Sequence, residues 1–403
     1  MAKPSVLFLT GTVPYPLTTG AKIRTFNLLK ALINEFNIEL LTAINEPDDK
    51  DHLRAIEQAG IKCHVVDSMN RNGAFSQQLD AIKSYFGSAP YLVRHYTYRI
   101  YRDQLNHLLT ENNYDVIHCD SISLTGNLKG IDPQRLMLTQ HNIEQIIWAG
   151  YVAHAENVLS RSFYRDQYRK VKRLEENLDR HYGHVVTVSE EDKTRLAASY
   201  PKDKIVVVDN GVDPAAYANN TSFTDRSGVV FTGSLDWHPN IDGLTDFLQN
   251  AYQLIISLFP ECQTSIVGRR PGEKLLRAVA ENRGIEIMAD VPEIQPFLHR
   301  ARVMIVPLRI GGGSRLKILE ALAAGLPVVS TSKGAEGLNL IDGENIIIRD
   351  DPEDFAKAVV SLHKDEALHR KISVNGLELI KARFAWDVVA RSLAGLWRKV
   401  ADA

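Results

Sequence analysis

Residues 303–330, VMIVPLRIGGGSRLKILEALAAGLPVVS, decide how the rest of the chain is interpreted. The first four residues form a short apolar run, which is typical of a strand buried on both faces of a parallel sheet. Gly311, Gly312 and Gly313 then let the backbone turn with no Cβ in the way of a ligand. Ser314 can accept a hydrogen bond from the first free amides of a helix, so the stretch predicts strand, loop, helix and strand. Gly325, followed by Pro327, predicts the end of this helix.

Two cations stand at the start of this predicted helix. Arg315 and Lys317 fall in its first turn, where the helix dipole is already positive and disfavours them unless an anion lies nearby. A glycine loop, free helix-terminal amides and two cations together are suited to binding a diphosphate. The alternative is that both side chains extend into water and that Lys317 pairs with Glu320 one turn further along.

Length and composition restrict the class of protein. A chain of 403 residues is too long for one ordinary core and predicts two domains. Apolar residues make up 44% and the formal charge is −2, which excludes a generally basic, nucleic-acid-coating surface. The three cysteines show no metal-ligand or CxxC spacing, and no apolar run is long enough for a signal peptide or a membrane span. We therefore expect a cytoplasmic protein with no metal, no cofactor and no nucleic-acid partner.

The first half of the chain repeats the strand, loop and helix pattern. A strand at residues 5–10 is followed by a loop rich in Gly, Pro and Thr that ends in Gly20 and Ala21, and then by a helix at 22–36. Ligands of doubly wound sheets bind beyond the carboxyl ends of the strands, which is where this loop lies. Further strands are predicted at 37–43, 62–66, 114–119, 135–140 and 184–188.

His141 directly follows one of these predicted strands. A lone histidine is more often a hydrogen-bonded structural residue than a functional one. Its place at the carboxyl end of a strand, where ligands of such sheets bind, favours a functional role about as strongly. The structural and the functional interpretation therefore both stay open.

The pattern restarts after a turn at Asn210-Gly211. Strands are predicted at 228–232, 263–267, 285–288 and 345–348, and helices at 241–259, 352–363 and 384–400. We predict a first domain of residues 1–208, completed by the helical segment 384–403, and a second domain of residues 209–383.

Several short motifs, in order along nearly the whole chain, resemble those of glycosyltransferase family 4. They are Gly20-Ala21, His141-Asn142, Val188-Ser189-Glu190, Asn210-Gly211-Val212-Asp213, Phe231-Thr232-Gly233 and the stretch 311–330. The resemblance implies the α/β fold named GT-B, in which two Rossmann-like doubly wound domains face each other across a cleft. It also implies a retaining, nucleotide-sugar-dependent enzyme whose last helix packs back on the first domain.

The resemblance also implies roles for individual residues. Glu320 matches the glutamate that binds the donor ribose, and Gly20 and Ala21 match the loop over the donor phosphates. His141 matches a histidine that contacts the transferring sugar, and Val291 falls in the loop that meets the nucleobase.

Two departures from the family pattern concern charge. A glutamate common in the family would fall at Gly312, and the usual arginine and lysine would fall near Ser234 and Asn240. The chain resembles the branch with a GGGxRLK stretch, in which Arg315 and Lys317 would replace the missing cations. We interpret the departures as a relocation of positive charge to Arg315 and Lys317, and not as a loss of activity.

The expected activity is metal-independent transfer of a hexose from a UDP- or GDP-type sugar to a saccharide or lipid-linked hydroxyl acceptor, in polysaccharide or glycolipid biosynthesis. One alternative is a sugar-nucleotide epimerase of the same fold. A second is a non-catalytic donor-binding partner that has lost activity together with the residue at Gly312.

Peripheral contact with the inner face of a membrane is also expected. Residues 91–102 interleave tyrosines with arginines. Residues 161–173 carry six cations against one carboxylate and are predicted to lie on a long helix that ends near Tyr182. Aromatic and basic faces suit an anionic lipid surface. The alternative is a packed tyrosine face with solvated arginines.

Overall fold

The computed structural model describes residues 3–69, 73–155, 157–218, 225–310 and 315–402. Two α/β units, each built on its own parallel sheet, make up the chain. The first unit comprises Met1–Asn210 with Trp386–Ala403, and the second comprises Gly211–Ala385. The sequence analysis placed the corresponding boundaries at 208/209 and 383/384.

The sheet of the first unit has seven parallel strands in the order β3-β2-β1-β4-β5-β6-β7. The strand order reverses direction between β1 and β4. Ligands of doubly wound sheets bind at the carboxyl ends of the strands where such a reversal occurs. β4 and β5 are buried throughout, because helices cover both faces of the sheet. The strands are β1 (Ser5–Leu9), β2 (Asn37–Ile44), β3 (Lys62–Asp67), β4 (Val116–Cys119), β5 (Leu136–Gln140), β6 (His184–Thr187) and β7 (Ile205–Val207).

Within the described residues, eight α-helices connect these strands. They are α1 (Gly20–Leu32), α2 (Asp49–Gln58), α3 (Ala74–Phe86), α4 (Tyr91–His95), α5 (Arg99–Glu111), α6 (Glu144–Ala153), α7 (Val158–Glu175) and α8 (Glu190–Leu196). The helix predicted at 22–36 begins earlier, because Thr19 accepts a hydrogen bond from the Lys22 amide and caps it. The long helix expected to end near Tyr182 is wrong in its extent, since α7 ends at Glu175 and a short 3₁₀ turn follows.

The tyrosines at 91–102 divide between core and surface. Tyr98 and Tyr101 are buried, and the Tyr101 hydroxyl donates to the carbonyl oxygens of Thr10 and Leu41 at 3.1 and 3.0 Å. The Tyr101 side chain therefore ties α5 to the ends of β1 and β2. The packed-tyrosine alternative is correct for Tyr98 and Tyr101, and they are not available to a lipid surface.

The sheet of the second unit has six parallel strands in the order β10-β9-β8-β11-β12-β13. Its order reverses between β8 and β11. The strand predicted at 303–306 is confirmed, and all four of its residues are buried. The strands are β8 (Val229–Thr232), β9 (Thr264–Gly268), β10 (Ile285–Ala289), β11 (Val303–Val306), β12 (Val328–Ser330) and β13 (Ile347–Ile348).

The helices of this unit are α9 (His238–Asn250), α10 (Tyr252–Leu258), α11 (Glu273–Ala280), α12 (Gln295–Arg300), α13 (Leu316–Ala323), α14 (Ser332–Ala335), α15 (Pro352–Lys364) and α16 (Glu366–Leu379). The single helix predicted at 241–259 is wrong, because the chain breaks at Ala251 into α9 and α10. The stop predicted for α13 is confirmed, since Gly325 follows it with a φ of +62° that favours glycine.

A last helix, α17 (Trp386–Ala401), packs on the first unit. Trp397 is fully buried, and its indole N–H donates to His118 Nδ1 at 2.9 Å. His118 Nε2 therefore carries the remaining proton and donates to Thr139 Oγ1 at 2.7 Å. Burial lowers the pKa of His118 to about 3, so the imidazole is neutral inside the unit. Among the described helices, none is long and apolar enough to cross a bilayer.

Candidate functional site

Lys317 lies at the point where the second sheet reverses its strand order. Its ammonium donates to Asn240 Oδ1 at 2.9 Å and lies 4.1 Å above the ring of Phe231, the penultimate residue of β8. Burial lowers the pKa of Lys317 to about 7, and the charge of the neighbouring Arg315 acts in the same direction. The solvent-exposed alternative is wrong for this side chain, because its ammonium is held inside the unit.

Gly233 makes room for this ammonium. A Cβ at Gly233 would come within 2.7 Å of Lys317 Nζ and 3.0 Å of Asn240 Nδ2. The backbone at Gly233 has a φ of +151°, which side chains rarely adopt. The Phe231-Thr232-Gly233 motif of the sequence analysis thus has a physical purpose, since it lets a lysine from α13 approach the end of β8.

Arg315 caps the start of α13 with its backbone and is 6% exposed. Its guanidinium donates to the carbonyl oxygen of Lys333 at 2.9 Å, and the same group lies 3.9 Å from Glu336 Oε2. The alternative in which Arg315 extends into water is therefore wrong. Arg315 fixes the start of α13 to the segment that follows β12, and it adds positive charge beside Lys317.

Glu320 lies one turn further along α13 and accepts a hydrogen bond from the Tyr217 hydroxyl at 3.0 Å. The pKa of Glu320 is raised above its ordinary value, because the effect of burial exceeds the lowering by the Tyr217 hydrogen bond and the Lys317 charge. The pair between Glu320 and Lys317 that belonged to the alternative interpretation is replaced by two separate hydrogen bonds, from Tyr217 to Glu320 and from Lys317 to Asn240. A carboxylate held in this way keeps its second oxygen for another donor.

The other predicted residues of this unit fall in two places. Val291 is half-buried just after β10 and follows Asp290, whose φ is +51°. The predicted loop residues Gly311, Gly312, Gly313 and Ser314 lie outside the described residues.

The first unit carries a second polar cluster at the reversal point of its own sheet. His141 follows β5, and its Nε2 lies 3.2 Å from Oδ1 of Asp120, which directly follows β4. These two atoms are close to each other, but their angles do not meet those of a hydrogen bond. The Thr25 hydroxyl donates to the other oxygen of Asp120 at 2.6 Å. Asp120 therefore connects His141 to α1.

Gly20 and Ala21, predicted as the end of a loop, instead form the first turn of α1, the helix whose Thr25 binds Asp120. Arg24 follows them and is fully buried, with its guanidinium donating to the carbonyl oxygens of Val208 and Asp209 at 2.8 and 2.6 Å. Burial lowers the pKa of Arg24 to about 10. Arg24 thus anchors the start of α1 to the last residues of the first unit before the chain enters the second.

The sequence analysis gave no role in the site to Asp120, Asn240 or Tyr217. Asp120 could have been found from the signal that singled out His141, since each directly follows a buried strand. The partners Asn240 and Tyr217 lie 77 and 103 residues from Lys317 and Glu320, and no local pattern connects them.

Comparison with known proteins assigns the class. A family model described as "Glycosyltransferase Family 4" matches residues 50–216, and one described as "Glycosyl transferases group 1" matches residues 226–365. Each match covers most of one unit, and together they span most of the chain. The chain belongs to the family 4 glycosyltransferases, and its fold class is GT-B.

Relatives of different kinds match this chain. A Klebsiella pneumoniae protein described as an "uncharacterized 44.6 kDa protein in cps region" is 22% identical over 95% of this chain and 97% of its own. A phosphatidyl-myo-inositol mannosyltransferase from Mycobacterium leprae is 30% identical over 49% of this chain and 54% of its own. The structure of Anabaena HepE in complex with UDP and glucose has a TM-score of 0.66 and 15% identity, covering 98% of this chain and all of the other.

Proposed function

We propose that this protein is a retaining glycosyltransferase that moves a sugar from a nucleotide-diphosphate donor to a hydroxyl acceptor in polysaccharide or glycolipid biosynthesis. The observation that carries the proposal is the position of the Lys317 ammonium, 2.9 Å from Asn240 Oδ1. Asn240 is the position near which the family's usual lysine falls. A cation from α13 therefore reaches the place that a cation after β8 would otherwise occupy, which supports relocation of charge.

In the proposed reaction the bond between the anomeric carbon and the diphosphate breaks, a bond to the acceptor oxygen forms, and the proton of the acceptor hydroxyl passes to the departing diphosphate. The diphosphate leaves with increased negative charge, which Lys317, Arg315 and the first amides of α13 would stabilise. These groups supply positive charge from the protein itself, so we propose that no metal ion is required. Glu320 would bind the ribose hydroxyls of the donor and Val291 would meet its base.

The donor and acceptor classes rest on relatives. HepE was solved with UDP and glucose, which supports a UDP-type hexose donor. The Mycobacterium leprae relative is named for a phosphatidylinositol acceptor, and the Klebsiella relative is named for its cps region. These names support a lipid-linked or saccharide acceptor.

A panel of UDP- and GDP-sugars, each incubated with the protein and with chelator present, tests the activity. We expect free nucleoside diphosphate to be released from one donor, slowly with water and faster when an acceptor extract is added. An epimerase would instead return a different sugar nucleotide without releasing diphosphate. A non-catalytic partner would bind the nucleotide and turn over none of the panel, and this result would contradict the proposal.

His141→Ala is expected to lower kcat far more than it weakens nucleotide binding, because His141 belongs to the first unit and the proposed diphosphate site to the second. Calorimetric titration with UDP beside steady-state rates measures the two effects separately. Asp120→Asn keeps the shape of the His141 partner while removing its charge, so this variant should also lower kcat. Equal losses in kcat and in UDP affinity would show that His141 has a structural role.

A further inference from the structure

One face of α3 is apolar and exposed to solvent. Phe75 is 79% exposed and Phe86 is 84% exposed, and Leu79 and Ile82 lie between them at helical spacing. The opposite face of the same helix is polar and buried, since Asp80 and Ser84 point into the unit. The usual amphipathic arrangement is therefore inverted, and a row of large apolar side chains remains uncovered.

Helix α7 lies directly beside α3. The ring of Tyr85 stacks on Phe163 at 6.4 Å, and the Lys170 ammonium donates to the carbonyl oxygens of Ser84 and Tyr85 at 2.6 and 3.1 Å. These contacts fix the two helices to each other. The apolar row of α3 and the outer side of α7 therefore form one continuous face, which we name the α3–α7 face.

The α7 part of this face is positively charged. Four arginines recur there at helical spacing and are exposed, and two apolar residues stand at the helix start; they are Arg161, Arg165, Arg169, Arg173, Val158 and Leu159. The carboxylates of these two helices are engaged elsewhere, because Asp80 is buried and Asp166 pairs with Lys170 at 2.7 Å. Glu175 is buried and accepts the amide hydrogens at the start of α6.

An open cavity of about 310 Å³ lies at the edge of this face, between α6 and α7. Arg165 and Arg169 line it, together with Ala149, Val152 and Tyr168. Two guanidinium groups at one small opening provide planar donors for a phosphate group. The cavity thus adds an anion-binding feature next to the exposed apolar row.

We propose that the α3–α7 face binds an anionic membrane surface. Phe75, Ile82 and Phe86 would enter the boundary between head groups and acyl chains, and the α7 arginines would contact lipid phosphates. Charge complementarity selects this occupant. A second copy of the chain is unsuitable, because a twofold contact brings the same positively charged face against itself. The binding requires no sugar donor and so stands apart from the transfer reaction.

Vesicle flotation of the full chain tests the proposal, with phosphatidylcholine alone and with phosphatidylcholine mixed with phosphatidylglycerol. We expect recovery only with the mixed vesicles, and less of it at high salt. Phe75→Gln with Ile82→Gln and Phe86→Gln should lower the partition coefficient at least about tenfold. Arg165→Gln and Arg169→Gln should each lower it about fivefold. Ile341→Gln, which removes an exposed isoleucine from the second unit, is the matched control and should leave it unchanged.

Light scattering and donor hydrolysis without lipid accompany the flotation. All variants should remain at the parent molecular mass and should release UDP at the parent rate. A parent that releases no UDP would contradict the transferase proposal, whatever the flotation shows. The membrane proposal is overturned if the parent binds neither vesicle or binds both equally. A parent dimer that the phenylalanine substitutions dissociate would also overturn it, because the face would then be a protein interface.

Discussion

UDP binding to this protein should take up protons increasingly as the pH rises through 7, and binding to Lys317→Met should not. The ammonium of Lys317 has a pKa of about 7, below the ordinary lysine value of 10.5, because burial disfavours its charge. A diphosphate beside it favours the charged form and raises that pKa. Calorimetry in buffers of different ionisation enthalpy measures the proton uptake directly.

Lys317→Met should also reduce kcat/KM for the donor about 10- to 100-fold, since one charge-assisted contact is worth about 1.5–3 kcal/mol.

Lys317→Met should nevertheless stabilise the second unit at pH 7. The folded-state pKa of about 7 lies below the unfolded value of 10.5, so the unfolded chain binds more protons in this interval. Wild-type stability therefore rises with pH between 7 and 10.5, and Lys317→Met should lack this rise.

Two further variants separate the ammonium from general effects of charge. Lys274→Met removes an exposed lysine of the same unit and should retain proton uptake and turnover. Gly233→Ala keeps the lysine, but its methyl group would lie 2.7 Å from Lys317 Nζ and should weaken UDP binding by displacing it. Equal proton uptake by wild type and Lys317→Met would place the diphosphate site elsewhere.

Trp397→Ala should lower the free energy of unfolding of the first unit by about 3–5 kcal/mol, as large-to-small changes of buried aromatic residues do. The change removes a fully buried ring and leaves His118 Nδ1 without its indole donor. Hydrogen exchange of the β1 and β4 amides reports on this unit separately from the second. Trp237→Ala, at an exposed tryptophan of the second unit, is the control and should leave these amides unchanged.

The His118 contact also makes the first unit acid-sensitive. Its folded pKa of about 3 lies below the ordinary value of 6.5, so the unfolded state binds more protons between these values. The free energy of unfolding should fall as the pH decreases from 6.5 to about 3, and His118→Leu should make this dependence on pH less steep. A slope that is the same in both proteins would mean that other groups cause the acid sensitivity.

The sequence was informative where structure is local. The apolar run at 303–306 and the glycine stop after α13 predicted a strand and a helix end, and both are present. The contacts that define the candidate site were not accessible in this way. Lys317 reaches Asn240 only because β8 and β11 are neighbours in the sheet, and strand order is a property of the whole fold.

The α3 helix shows a second limit. Phe75, Leu79, Ile82 and Phe86 are spaced as a core-facing stripe would be, yet they face solvent. The buried side of the same helix is held by polar contacts, in which Asp80 lies 3.6 Å from Arg94 and 3.4 Å from His95. Periodicity indicates that a helix has two unlike faces, but only the neighbouring elements determine which one is covered.

Because α17 completes the first unit but follows all of the second in the chain, the two units differ in when they can be finished during synthesis. A ribosome delivers every residue of Gly211–Ala385 before Trp397. The second unit is continuous and can close as soon as it emerges, whereas the first must wait with β1 and His118 uncovered. A chain released after Ala385 should therefore contain a protease-resistant second unit and a protease-sensitive first one.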